Sequence, residues 1–163
     1  MTSKRIGPQP KPGDLVEIFH GGRFTPAALR YQHWAVYVGD GYVVHLTQGD
    51  NEISSGKVFL AASVLGIQAV VKKELLLKVA EGCVYQVNNK LDGKRRVRSP
   101  EEIVQKALAQ EGKESHYSLT RENCEHFVME LRYGEPMSDQ VVENIWGAVL
   151  IFTRVILTVL LRR

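Results

Sequence analysis

The sequence predicts an α+β protein, in which a sheet is built from the first part of the chain and helices follow it. Strand patterns, where apolar and polar residues alternate, recur between Asp14 and Val87. Helix patterns, where apolar residues recur three and four positions apart, follow between Ser99 and Gly134. A run of strands followed by helices is typical of an α+β domain.

Length and composition indicate one folded domain. The chain has 163 residues, of which 44% are hydrophobic and 24% charged, so it can bury a core without disulfides or metals. Its net charge of +3 is too small to indicate nucleic acid, although a weakly basic surface suits an anionic membrane. We expect a flexible N-terminal arm over residues 1–12, a folded domain over residues 13–140 and a hydrophobic C-terminal segment over residues 145–163.

The strongest local signal is a β-hairpin. Two aromatic and β-branched runs, Gln32–Val38 and Tyr42–Leu46, flank the turn sequence Gly39-Asp40-Gly41. Outside the hairpin, Asp14–Phe19, Ala69–Lys73 and Cys83–Val87 are predicted strands. Residues 74–79 fit a strand or a helix, residues 57–66 fit a short helix or an irregular segment, and residues 20–30 form an unusually long loop.

The hairpin register decides where two histidines point. A three-residue loop pairs Ala35 with His45 and places His33 and His45 on one face, as diagonal neighbours about 7–8 Å apart. A two-residue loop pairs Val36 with His45 and sends the histidines to opposite faces. Chemistry that uses both rings requires the first register.

Two helices have clear start and stop signals. Ser99-Pro100-Glu101-Glu102 combines an N-cap, a proline at the first helical position and acidic residues in the first turn, and Gly112 ends that helix. In the second helix Thr120 is the predicted N-cap, Arg132 lies in the last turn and Gly134 is the stop. Its apolar stripe consists of Cys124, Phe127, Val128 and Leu131.

Cys124 is the candidate nucleophile. It lies near a helix start, where the helix dipole favours the thiolate, so we expect a lowered pKa. A thiol nucleophile needs a base and a group that orients the base. His33 is the predicted base and His45 the predicted orienting group. The structural alternatives are a buried apolar cysteine, a half-buried strand histidine and a core histidine. We interpret Cys83 as a packing residue, and His20 as a loop residue.

Other uses of cysteine and histidine fit the sequence less well. There is no Cys-x-x-Cys or His-x-x-x-His spacing, so neither a metal site nor a cofactor is predicted. Two cysteines do not make a disulfide framework, and Met1–Gly13 is polar and proline-rich. We therefore expect an intracellular protein with reduced thiols.

The C-terminal segment is strongly apolar. Residues 145–161 contain one charge, Arg154, over a length near the minimum of about 17 residues for a membrane span. A membrane anchor, an interfacial helix and a core helix all remain open on this pattern.

These motifs together resemble a known family. The sequence Asn-Cys-Glu-His-Phe-Val at 123–128 and the two-histidine hairpin at 33–45 are similar to the HRAS-like suppressor group, the phospholipase A and acyltransferase enzymes of the lecithin:retinol acyltransferase family. Further matches lie at residues 12–17, 71–76, 85–90, 117–120 and 131–134.

The resemblance implies a fold and an activity. The fold is a circularly permuted relative of papain-like and NlpC-type peptidases, with helices packed on an antiparallel sheet. The family's nucleophile carries over to Cys124, its base to His33 and its third polar residue to His45. The implied reaction cleaves sn-1 or sn-2 esters of phosphatidylcholine or phosphatidylethanolamine without calcium. The acyl group passes through a thioester to water, to a lysophospholipid or to the amine of phosphatidylethanolamine.

The resemblance also implies a location. The C-terminal segment would anchor the domain at the cytoplasmic face of intracellular membranes, with some protein in the cytosol. Two alternatives are a catalytically silent regulatory or interaction protein and a cysteine peptidase. The loop at residues 20–30 is longer than the short turn expected in this group, which leaves substrate preference open.

Overall fold

The described part of the chain folds around one mixed sheet. The computed structural model describes residues 3–21, 31–48, 68–118 and 121–134. Within these ranges there are seven strands and three helices. The strands are β1 (Lys4–Ile6), β2 (Leu15–His20), β3 (Tyr31–Gly39), β4 (Tyr42–Gln48), β5 (Gln68–Leu75), β6 (Val84–Val87) and β7 (Glu114–Ser118), and the helices are α1 (Leu76–Val79), α2 (Pro100–Leu108) and α3 (Arg121–Tyr133).

The strand order is β1-β6-β2-β3-β4-β5-β7. The central strand is β3, which carries His33. All neighbouring pairs are antiparallel except β1 and β6, which are parallel. The predicted α+β class with helices on a sheet is therefore confirmed, and the expectation of a purely antiparallel sheet is wrong at this edge. Lys4–Ile6, within the predicted N-terminal arm, form the edge strand β1.

The two faces of the sheet carry different side chains. Trp34 and Val36 from β3 contribute to one apolar cluster, which also contains buried residues of α2 and α3. Ala35 and Tyr37 contribute to a second cluster with Leu76 and Tyr85. Successive side chains of a strand point to opposite faces, so the sheet separates the two clusters. We call the face with Trp34 and Val36 the helix face, because α2 and α3 cover it. We call the face with Ala35 the histidine face, because His45 pairs with Ala35 and His33 lies two residues before it on β3.

The β3–β4 hairpin adopts the register that brings the histidines together. Ala35 pairs with His45, as the three-residue alternative predicts. The turn nevertheless contains only two residues, because Asp40 and Gly41 have positive φ values of 50° and 81° and Gly39 pairs with Tyr42. A register shift between Tyr37 and Gly39 absorbs one residue, and this bulge restores the register that the short turn alone would have lost.

The start signals of α2 and the stop signal of α3 are confirmed, but the predicted stop Gly112 is wrong, because α2 ends at Leu108 with Ala109 as its C-cap. Ser99 caps α2, its hydroxyl accepting a hydrogen bond from the backbone N–H of Glu102, and Pro100 opens the helix. Gly134 ends α3 with a φ of 82°, and its N–H donates to the carbonyl of Glu130. The predicted N-cap Thr120 lies outside the described residues.

One buried arginine fixes the end of α3 on the sheet. The guanidinium of Arg132 donates to both carboxylate oxygens of Asp92 at 3.0 and 2.7 Å, and to the carbonyl of Gly13 at 2.7 Å. Gly13 in turn donates its N–H to the carbonyl of Tyr37. The C-terminal end of α3 therefore lies at the Tyr37 end of β3. Cys124, eight residues before Arg132, is about 12 Å back along the helix axis.

The predicted membrane segment at residues 145–161 lies outside the described residues, as does most of the long loop at residues 20–30. Among the helices that the structure describes, none has the length and apolar character that crossing a bilayer requires.

Candidate active site

His33 and His45 form a hydrogen-bonded pair on the histidine face. Nε2 of His33 lies 2.8 Å from Nδ1 of His45, and the ring planes are nearly perpendicular at 89°. Both side chains are buried, at 5% and 3% exposure. The register of β3 against β4 produces this contact, because it places Ala35 opposite His45 and His33 diagonal to it.

A carboxylate completes the chain of hydrogen bonds. Nε2 of His45 lies 3.0 Å from Oε2 of Glu74, which is on the neighbouring strand β5. Nζ of Lys78 donates to the other oxygen, Oε1, at 2.7 Å. The hydrogen bond to His45 is the main cause that lowers the pKa of Glu74 to about 2, with a smaller contribution from the hydrogen bond to Lys78. Glu74 is therefore ionised at neutral pH and accepts both hydrogen bonds.

This ionised carboxylate fixes the tautomers of both rings. Because Glu74 can only accept, Nε2 of His45 carries the proton and donates it to the carboxylate. In a neutral His45 ring, Nδ1 then carries the lone pair and accepts from Nε2–H of His33. A neutral His33 ring accordingly has its basic lone pair on Nδ1. The arrangement therefore makes Nδ1 the atom at which a neutral His33 could take a proton.

The surroundings keep His33 neutral. Burial lowers the pKa of His33 well below its usual value, and the adjacent His45 and His20 rings lower it further, against an opposing effect of Glu74. A neutral imidazole is the form that a general base requires. His33 is therefore in the competent form over a wide range of pH, including mildly acidic conditions.

Cys124 lies on the other face of the sheet. It is the fourth residue of α3, and its side chain is fully buried in the same apolar cluster as Trp34 and Val36. Its neighbour Glu125 pairs with Lys90 at 3.1 Å, and the Lys90 ammonium lies 5.4 Å from the centroid of the Trp34 ring. The structure thus brings His33 and His45 together and places Cys124 on the helix face.

The expected lowering of the thiol pKa is wrong for this conformation. Burial raises the pKa of Cys124 to about 12. The helix dipole acts over about one turn and is worth about 0.3–1 kcal/mol at exposed sites, whereas removing a thiolate from water into an aliphatic cluster costs several times more. Desolvation therefore prevails, and the thiol is protonated at neutral pH.

Comparison with known proteins identifies the family. The lecithin retinol acyltransferase family matches residues 8–137, which is most of the chain. The chain belongs to this family. It is 50% identical to human phospholipase A and acyltransferase 3 over 141 residues, which cover 86% of this chain and 82% of the relative. It is 51% identical to the mouse protein of that name over 134 residues (82% and 77%), and 48% identical to human phospholipase A and acyltransferase 2 over 134 residues (82% and 77%).

In this lecithin retinol acyltransferase family member, sequence reasoning found the two histidines but missed Glu74. Glu74 directly follows the predicted strand Ala69–Lys73, in a stretch that fitted a strand or a helix and within a segment that also matched the family. The pairing of β5 with β4, which places Lys72 opposite His45 and Glu74 opposite Val43, depends on a long-range register that local patterns do not give. Among the described residues, no group of three or more His, Cys, Asp or Glu side chains is placed to hold a metal ion.

Replacing Glu74 by glutamine should lower the free energy of unfolding at neutral pH. We expect about 1 kcal/mol, because a charge-assisted hydrogen bond is weakened and the carboxylate is partly exposed. The pKa of Glu74 is about 2 in the folded protein against an ordinary 4.5, so this stabilisation is complete above about pH 5 and is lost as the pH falls from 4.5 towards 2. Urea unfolding of both proteins across this range measures the difference.

Glu81→Gln is the matched control, because Glu81 is an exposed carboxylate just after α1. It should leave the unfolding free energy unchanged at every pH. A Glu74→Gln difference that persists undiminished at pH 2 would contradict the assignment of Glu74 as the ionised partner of His45.

Proposed function

We propose that this protein is a thiol-dependent phospholipase A1/A2 and acyltransferase. It would cleave acyl esters of glycerophospholipids through a thioester on Cys124. The acyl group would pass to water, to a lysophospholipid or to the amine of phosphatidylethanolamine. The observation that carries the proposal is the His33–His45–Glu74 hydrogen-bonded chain, which orients a neutral base in a member of this family.

The proposed mechanism assigns one role to each group. His33 Nδ1 takes the thiol proton while Cys124 Sγ attacks the ester carbonyl, and the imidazolium then protonates the leaving alkoxide. His45 holds the ring of His33, and the negative charge of Glu74 stabilises the positive charge that develops on the two rings. Backbone N–H groups at the start of α3 would stabilise the oxyanion next to Cys124.

The mechanism requires a conformational change. Proton transfer needs Sγ within about 3 Å of Nδ1, directly or through one water. In the described conformation the thiol is buried on the helix face. We propose that lipid binding moves Cys124 and the end of β3 into contact, so that the described state is a resting one with a protonated thiol.

The membrane segment fits the same proposal. A substrate that resides in a bilayer is reached most easily by an enzyme held at its surface, because the lipid then does not have to cross water. We propose that residues 145–161 hold the domain at the cytoplasmic face of intracellular membranes.

The buried thiol favours a second candidate, a catalytically silent regulatory or interaction protein of the same fold. A product assay separates the two. The full-length protein is incubated with mixed micelles of phosphatidylcholine and phosphatidylethanolamine, with a calcium chelator present, and the lipids are analysed by mass spectrometry. We expect free fatty acid, lysophospholipid and N-acylated phosphatidylethanolamine. If no product exceeds that of heat-inactivated protein, the silent candidate is correct.

A further inference from the structure

A second thiol lies on the histidine face. Sγ of Cys83 is 3.3 Å from Nδ1 of His20, within hydrogen-bonding distance for sulfur. Cys83 directly precedes β6 and His20 ends β2, and these strands are neighbours with Phe19 paired to Val84. Both side chains are half-buried, so the sulfur is partly accessible to solvent, unlike that of Cys124.

This thiol–imidazole pair adjoins the candidate base. The rings of His20 and His33 meet edge to face, with centroids 6.1 Å apart. The register explains the contact, because Ile18 pairs with His33 and His20 is two residues further along the same face of β2. Cys83 and His20 therefore extend the row of contacting side chains that runs from Glu74 through His45 to His33.

The pair has the arrangement of a nucleophile and its base. Burial raises the pKa of Cys83 and lowers the pKa of His20 to about 4. Both groups are consequently neutral at pH 7, and in the His20 tautomer that carries its proton on Nε2 the thiol S–H donates to Nδ1. A neutral imidazole that accepts the thiol proton is a general base in position. The sequence interpretation of Cys83 as a packing residue does not account for this contact.

We propose that Cys83 is a second acyl-accepting thiol, which takes acyl groups from esters with His20 as its general base. The proposal rests on the proposed function, because that function supplies phospholipid esters to this protein. Sγ of Cys83 attacks the ester carbonyl and its proton passes to Nδ1 of His20. The carbon–sulfur bond forms, the carbon–oxygen bond breaks, and His20 returns the proton to the leaving alkoxide. The products are a thioester on Cys83 and a free alcohol.

The test uses the full-length Cys124→Ala variant, so that the other thiol cannot react. The protein is incubated with p-nitrophenyl butyrate, quenched in acid and digested, and its peptides are analysed by mass spectrometry. We expect a butyryl group on the peptide that contains Cys83. His20→Asn should slow this acylation about 10²-fold or more, whereas His126→Asn, a half-buried histidine of α3, should leave it unchanged.

The pH profile gives a second reading that needs no change at His20. His20 faces Cys83 beside β6 and His33 on β3, with His45 and Glu74 behind His33. With base assistance, the acylation rate should be level from about pH 5 to pH 8 and fall only near the lowered pKa of His20. Without assistance only the thiolate reacts, so the rate rises about tenfold per pH unit below the thiol pKa.

Three outcomes would overturn the proposal: an unmodified Cys83 peptide, a rate unaffected by His20→Asn, or a tenfold rise per pH unit in the protein with His20 intact. Its failure is distinct from failure of the proposed function. The nitrophenyl ester requires no phospholipid recognition, and phospholipid cleavage is measured separately in the unsubstituted protein.

Discussion

Cys124→Ser should reduce the release of fatty acid from phosphatidylcholine by at least about 10³-fold, because a serine hydroxyl beside the same base is a much weaker nucleophile than a thiol. Cys124→Ala should cause a similar loss. The alanine variant keeps the site apolar, so it separates loss of the sulfur from the cost of a hydroxyl in an aliphatic cluster. Fatty-acid release in mixed micelles at saturating substrate measures both.

Val128→Ala is the control for packing. Val128 is fully buried, one turn after Cys124 in the same cluster, and its truncation should cost about 2 kcal/mol of stability. This variant should remain active below its unfolding temperature. Retention of most activity by Cys124→Ser would contradict the assignment of the nucleophile, and loss of activity in Val128→Ala at an unchanged fraction folded would show that the cluster, rather than the sulfur, is limiting.

His33→Asn should lower kcat for fatty-acid release by about 10²–10⁴-fold, the range that a general base supplies. The unsubstituted protein should hold its rate as the pH falls through 6.5, because the pKa of His33 is lowered and the ring stays neutral there. Its rate should decline only well below that pH. The rate profile between pH 4 and pH 8 measures this behaviour, and His126→Asn is the histidine control.

A decline in rate centred on pH 6.5 or above would contradict the assignment of His33 as a buried neutral base. An unchanged kcat in His33→Asn would contradict its catalytic role altogether. Loss of activity with His126→Asn to the same extent would point to a general effect of histidine replacement.

The hairpin shows how much of the site the sequence predicts. The alternation around Gly39-Asp40-Gly41 is sufficient to predict both strands. It leaves two possible registers, which pair His45 with either Ala35 or Val36, and the structure has the first. The bulge between Tyr37 and Gly39 makes that decision, and a bulge is set by packing of the flanking residues. The capping residues of α2 were predicted correctly, because Ser99 and Pro100 act within one turn.

Longer-range features were not predictable in the same way. The contacts of Glu74 and of the Cys83–His20 pair depend on which strands are neighbours and on their register. The parallel β1–β6 pair was not predicted, because the composition of the β1 segment indicates a flexible arm. The pKa of Cys124 is raised by its burial in an apolar cluster, an effect that outweighs the local helix dipole. The helix position could be predicted from the sequence, but this environment could not.

The most direct test of the proposed mechanism is the detection of its covalent intermediate. The unsubstituted protein is mixed with phosphatidylcholine, quenched in acid within the first turnover and digested, and each cysteine peptide is analysed by mass spectrometry. The mechanism predicts a fatty-acyl thioester on Cys124 that forms and decays at the rate of product release. Release of fatty acid with no acyl group on Cys124 at any time would contradict it.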